Sequence, residues 1–161
     1  MTTTITGATG IDKVVAGVVD GTLLQTVTSS SDAATFVNDG TDWHNPTGMN
    51  VTITPSKTTS KIMLNWHTSV MLDPDPSVVD RVNCRIMRGS TEVFRLGDHY
   101  AGESAEWRTY VESGVFIDSP VTTSEITYYI QFKSTVNGSA NALRINNYNG
   151  NLLVQATEIG A

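Results

Sequence analysis

Residues 61–70 read KIMLNWHTSV, and this stretch decides the fold class. Ile62, Leu64, Trp66 and Val70 fall on one side of an extended chain, and Met63, Asn65 and His67 on the other. An α-helix would scatter the same residues around its circumference, so the period of two predicts a strand with one buried face. The pattern recurs outward from this point. Val51 and Ile53 alternate with Thr52 and Thr54 before Pro55. Val82, Cys84 and Ile86 share a face between Arg81 and Arg88, and Gly89-Ser90 supplies a tight reversal into Thr91 to Gly97. Thr109, Val111, Ser113 and Val115 alternate with Tyr110, Glu112 and Phe116. Ile126, Tyr128, Ile130 and Phe132 line a long strand ending near Ser134. The apolar faces of these segments are expected to form the core. Leu143 with Ile145, and Leu152 with Val154, flank Tyr148-Asn149-Gly150, whose Asn-Gly pair predicts a hairpin joining two adjacent antiparallel strands. No long window keeps helical spacing without Gly, Pro or a β-branched run. The predicted fold is all-β: an antiparallel two-sheet β-sandwich, jelly-roll-like, with strand order left open.

Composition fits that class and removes others. Roughly a quarter of the 161 residues are Ser or Thr, which favours short strands and turns. Sixteen Asp and Glu against ten Lys and Arg give a formal charge of −6. The basic residues are scattered singly, so the clustered footprint of a nucleic-acid binder is missing from the sequence, and an acidic surface disfavours anionic lipid. No apolar run approaches the ~20 residues of a membrane span. One cysteine, Cys84, excludes an internal disulfide framework and suits a reducing cytoplasm. The start MTTTITGATGIDKVV has neither early basic residues nor a continuous apolar core, so it does not read as a secretory signal.

Two parts are expected: a short extended N-terminal arm over residues 1–22 and a β-sandwich domain over 23–161. The arm is rich in Gly and small residues and buries too little to fold alone. Its apolar residues Ile5, Ile11, Val14, Val15, Val18 and Val19 are expected to dock onto other subunits or a particle. Removing residues 1–20 is therefore expected to leave a folded sandwich, by circular dichroism, that no longer attaches to a particle.

Candidate chemistry is sparse. His44, His67 and His99 lie far apart and share no ligand spacing with Cys84. Cys84 shares a face with Val82 and Ile86 and reads as a small buried hydrophobe rather than a nucleophile. Asp73, Asp75 and Asp80 fall in a Pro-stiffened segment that could offer oxygen ligands to calcium, but the spacing is not that of an EF-hand, and a rigid solvated turn is favoured. His99 falls in a loop-like stretch with Asp98, Glu103 and Glu106 and reads as solvated surface. No nucleophile elbow, phosphate-binding glycine loop or HExxH pair is present. Neither an enzyme, a metal nor a cofactor is expected. Trp66 reads as core. Trp43, in Asp42-Trp43-His44-Asn45, and Trp107, beside Arg108, lie in polar surroundings suited to a contact surface with a sugar or a subunit; Asp73, Asp75 and His99 could join such a surface.

Several blocks resemble one family. Trp43 followed by Thr47-Gly48-Met49-Asn50-Val51-Thr52-Ile53-Thr54-Pro55-Ser56, then Thr59-Ser60-Lys61-Ile62, is similar to the small β-sandwich domains of tail-fibre-like and other structural proteins of tailed phages. Residues 85–91, RIMRGST, resemble the family's hairpin, residues 116–128 its next turn and strand, and residues 151–159 its final strand. Thr6-Gly7-Ala8-Thr9-Gly10-Ile11-Asp12 is similar to the lead-in these proteins carry. The resemblance runs from about Leu23 to Ile159. It implies a β-sandwich and a virion context: a homotrimer made in the host cytoplasm, partnered by other virion proteins such as the capsid shell, with host surface glycan as an alternative partner. It supplies no catalytic residue and does not fix capsid against tail, although the chain lacks the long shaft of a complete tail fibre.

Overall fold

A computed structural model of the chain describes residues 21–32, 35–37, 42–72, 80–102, 108–134, 143–146 and 151–160. They form β1 (Leu23–Ser31), β2 (Thr35–Val37), β3 (Asn50–Ile53), β4 (Lys61–Leu72), β5 (Asp80–Arg88), β6 (Thr91–Gly102), β7 (Arg108–Asp118), β8 (Ile126–Ser134), β9 (Leu143–Ile145) and β10 (Leu152–Ile159). Among the described residues there is no helix.

The strands pair in a nested series. β5 pairs β6 through the two-residue turn at Gly89-Ser90, where Gly89 adopts a φ of 56°. Outside that pair, β4 pairs β7; outside that, β3 pairs β8; and outermost, β1 pairs β10 while β2 pairs β9. A chain paired this way is one long hairpin, and the β4–β10 and β5–β8 contacts roll it into two antiparallel sheets. The first sheet orders β1, β10, β4 and β7, with β2 and β9 extending it; the second orders β3, β8, β5 and β6. This is the jelly-roll arrangement, and it supplies the strand order that the sequence left open.

Alternation decides which face is buried. Ile62, Leu64, Trp66 and Val70 of β4 point inward against Val82, Cys84 and Ile86 of β5 and Tyr128, Ile130 and Phe132 of β8, all fully or nearly fully buried. Each such side chain contributes about 1.5–3 kcal/mol of burial. Phe94 of β6 stacks on Phe116 of β7 with ring centroids 4.9 Å apart, closing the sandwich where the two sheets have their outer strands. Polar bolts also join the sheets. Asp118 of β7 accepts hydrogen bonds from Arg88 of β5 at 2.8 Å and from the Tyr128 hydroxyl of β8 at 2.7 Å. Burial, and then the Asp118 carboxylate it donates to, push the Tyr128 phenol well above its ordinary range.

Three expectations change. The strands either side of residues 147–150 do not pair with each other as a hairpin. β9 and β10 both run antiparallel to β4, opposite β7, so they lie end to end along one edge and do not pair with each other. Their places are set by register on β4, where Leu143 and Ile145 face Leu72 and Val70, and Val154 and Ala156 face Trp66 and Leu64. β6 continues to Gly102, so Asp98 and His99 stand in a strand and not in a loop. In β7, Val111 and Val115 do not enter the core. They are 60% exposed, whereas Glu112 and Asp118 on the opposite face are buried.

Candidate functional site

Two exposed surfaces are built by this fold. The first is the outer face of the first sheet. Val111, Val115 and Ile117 of β7 are each more than half exposed, and Leu153 of β10 is 37% exposed. Between them the register places Met63, Asn65 and His67 of β4. Across β1, Thr26, Thr28 and Ser30 continue the row. The carboxylates of these strands, Glu112, Asp118 and Glu158, all point the other way and are buried. The described outer face therefore carries no Asp or Glu side chain in its strands, in a chain with 16 of them. β7 is also an outer strand: among the described residues it pairs only with β4. A long edge with exposed β-branched residues is a surface that pairs with another chain unless something covers it.

The second surface surrounds Trp43. His44 pairs with Phe132 through N–H···O bonds of 2.8 and 3.0 Å, which sets Trp43 opposite Lys133 beside the outward row of β8. The Arg85 guanidinium lies 4.2 Å from the indole centroid, the Lys133 ammonium 5.0 Å and the Arg95 guanidinium 5.3 Å. Glu92 holds both arginines. Arg95 donates from Nε at 2.9 Å and Nη2 at 2.7 Å, and Arg85 from Nη1 at 3.2 Å while its Nε reaches Gln131 at 2.9 Å. The Arg95 hydrogen bonds are the main cause that lowers the Glu92 carboxyl from its usual range. Three cations thus lie within 5.3 Å of the Trp43 ring centroid, at the residue expected to form a contact surface with a sugar or a subunit.

The other anticipated residues are placed as follows. Ile5, Ile11, Val14, Val15, Val18, Val19, Asp73, Asp75 and Trp107 lie outside the described residues. His99 stands within β6 and Arg108 opens β7; the structure describes their backbone only. Cys84 is buried in the core, and burial, reinforced by Glu112, pushes its thiol well up, so it is held as the inert thiol. Among the described residues, no group of three His, Cys, Asp or Glu side chains is placed to hold a metal ion. No described helix is long and apolar enough to cross a membrane. Arg85, Arg95 and Lys133 escaped notice in the sequence because they come from three strands and meet only through the β5–β6 and β5–β8 registers.

Among the described residues, the architecture defines a jelly-roll β-sandwich whose first sheet has an outer face without strand carboxylates and whose second sheet carries the cationic cluster at Trp43. No protein-family model and no curated protein sequence matches the chain. A solved structure of the infectious bursal disease virus Gx strain is similar with a TM-score of 0.43 and 11% identity, over 95% of this chain and 42% of that one. The chain thus spans less than half of that viral chain.

Proposed function

We propose that this chain is a non-enzymatic structural protein of a tailed-phage virion, displayed on the particle surface as a capsid-decorating protein of the cement or head-fibre kind and assembled as a homotrimer in the host cytoplasm. The observation that carries this reading is the acid-free face of the first sheet. Copies with a formal charge of −6 repel one another over most of their surface. Around Val111, Val115 and Ile117 they meet without carboxylates and with apolar area to bury. The sequence resemblance to tailed-phage β-sandwich domains supports the virion context. The jelly roll is shared with capsid and lectin domains and supports it only by analogy. Many copies docked around a symmetric shell would add modest contacts into firm attachment, with the shell and neighbouring virion proteins as partners.

The test is Val115→Asp. Val115 is exposed, so the variant is expected to keep its circular dichroism spectrum while light scattering coupled to gel filtration falls from three times the 17.4 kDa chain mass to one. A wild-type monomer, or a variant that stays trimeric, would contradict the role given to this face.

A second reading, a tail-fibre tip or receptor-binding module recognising host surface glycan, is favoured by one observation: the Trp43 cluster sits on the sheet face opposite the acid-free one, where it would point away from an assembly made through the first sheet.

A further inference from the structure

Trp43 gathers three of the chain's ten Lys and Arg residues, and the only carboxylate bonded to them among the described residues is Glu92. Glu92 neutralises one charge of three, which leaves a local excess of positive charge on an acidic protein. Specific donors remain. Glu92 and Gln131 occupy Nε and Nη1 of Arg85, and Glu92 occupies Nε and Nη2 of Arg95. Arg85 Nη2, Arg95 Nη1 and the Lys133 ammonium are therefore without an acceptor among the described residues, and the Arg95 side chain is half exposed. Such a cluster holds like charges together at some cost, which an incoming anion relieves. Beside it, the outward row of β8 runs Thr127, Tyr129, Gln131, Lys133, all partly exposed, while Tyr128, Ile130 and Phe132 face the core. Thr52 of β3 extends the row, its hydroxyl 2.8 Å from that of Thr127. A strip of hydroxyl and amide groups about 20 Å long, at ~3.3 Å per residue, thus leads to three cations.

We propose that the Arg85, Arg95 and Lys133 cluster around Trp43 is a binding site for the carboxylate of an acidic saccharide whose hydroxyls lie along the outward row of β8. Trp43 acts as the spacer that holds the three cations at one point; the hydroxyl and amide row distinguishes a saccharide from a free anion. A nucleic-acid backbone would need cations along the whole strip, and β8 offers one. The site deepens the glycan-binding reading, but it is tested on the isolated chain, so its failure leaves the location on the particle undecided by that experiment.

The experiment titrates the full chain with oligogalacturonate and, separately, with its methyl ester, in which each carboxylate is replaced by an uncharged ester and the hydroxyls are kept. Binding is followed by calorimetry and by the indole N–H signals in proton–nitrogen spectra. The free acid is expected to bind, shift the Trp43 indole signal and weaken with added salt, while the ester does not bind. Lys133→Gln is expected to weaken binding about fivefold with an unchanged fold, since the Lys133 side chain makes no hydrogen bond or ion pair among the described residues and touches Trp43 only through its ammonium. No binding of the free acid, equal binding of the ester, an unmoved Trp43 signal, or equal affinity in Lys133→Gln would each overturn the proposal.

Discussion

Gly114→Ala is expected to destabilise the protein by about 3 kcal/mol, and Gly114→Val to prevent folding. The expectation has the opposite sign to the general rule, because alanine in a strand interior normally gains about 0.5–1 kcal/mol over glycine. Gly114 stands directly across from Trp66 in the β4–β7 register, on the inward face. A Cβ built there lies 2.3 Å from Trp66 Cζ2 and 2.5 Å from Cη2, well inside contact distance. The indole cannot swing clear, since Trp66 is only 3% exposed within the core. Trp66 thus covers the bare backbone of Gly114, an aromatic ring compensating a strand glycine. Urea unfolding of Gly114→Ala, alone and combined with Trp66→Leu, checks this. The midpoint is expected to drop in the single variant, and the two substitutions are expected to couple, because the smaller side chain removes the clash. An unchanged or raised midpoint in Gly114→Ala would show that the ring does not occupy that space.

Glu158 carries the second large effect. It is fully buried on the inward face near the end of β10, and its carboxylate accepts hydrogen bonds from the Ser56 amide and hydroxyl, each at 2.7 Å, and from the Gln25 side chain at 2.6 Å. It therefore ties the first strand and the β3–β4 turn to the last strand. Burial pushes the Glu158 carboxyl up; the hydroxyl of Ser60, which lies close by without meeting hydrogen-bond geometry, and the donors of Ser56 and Gln25 together outweigh it and bring the pKa from 4.5 down to about 2. Because the folded value is depressed, the stabilisation is complete above the unfolded value near 4.5 and is lost as pH falls from there through about 2. That difference corresponds to about 3 kcal/mol. Glu158→Gln is expected to be less stable than wild type at neutral pH, with the gap closing as the pH is lowered towards 2. Glu158→Ala, which strands the Ser56 donors, is expected to lose about as much or more. A gap that stays constant with pH would show that the carboxylate's charge is not what holds the turn.

The sequence made the strong alternators legible. β4, β5 and β8 carry aliphatic and aromatic residues on alternate positions with polar residues between them, so strand and face could both be read. β7 shows why face and strand are separate questions. By hydrophobicity, Thr109, Val111, Ser113, Val115 and Ile117 outrank Tyr110, Glu112, Gly114, Phe116 and Asp118, yet the second set faces inward. What reverses the reading is tertiary: Arg88 and Tyr128 satisfy Asp118, and Trp66 fills the space over Gly114. The hairpin predicted from Asn149-Gly150 fails for a related reason: β9 and β10 each pair with β4 and not with each other, and no local turn signal carries that long-range pairing. Trp43 was legible as an aromatic residue in polar surroundings, but its three cations were not, because Arg85, Arg95 and Lys133 are separated by up to 48 residues and meet through sheet register.

The exposed row on β7 and the cluster on Trp43 together fit a protein that works through its surfaces. The first sheet would join copies and the second would remain outward. In that arrangement the buried carboxylates Glu112, Asp118 and Glu158 serve the fold, and their absence from the outer face removes repulsion between carboxylates of neighbouring copies.

The measurement that bears most directly on the proposed role is immunogold labelling of intact phage particles with an antibody against this chain. The account predicts label distributed over the whole capsid; particles that carry no label, from infected cells that contain the protein, would contradict it.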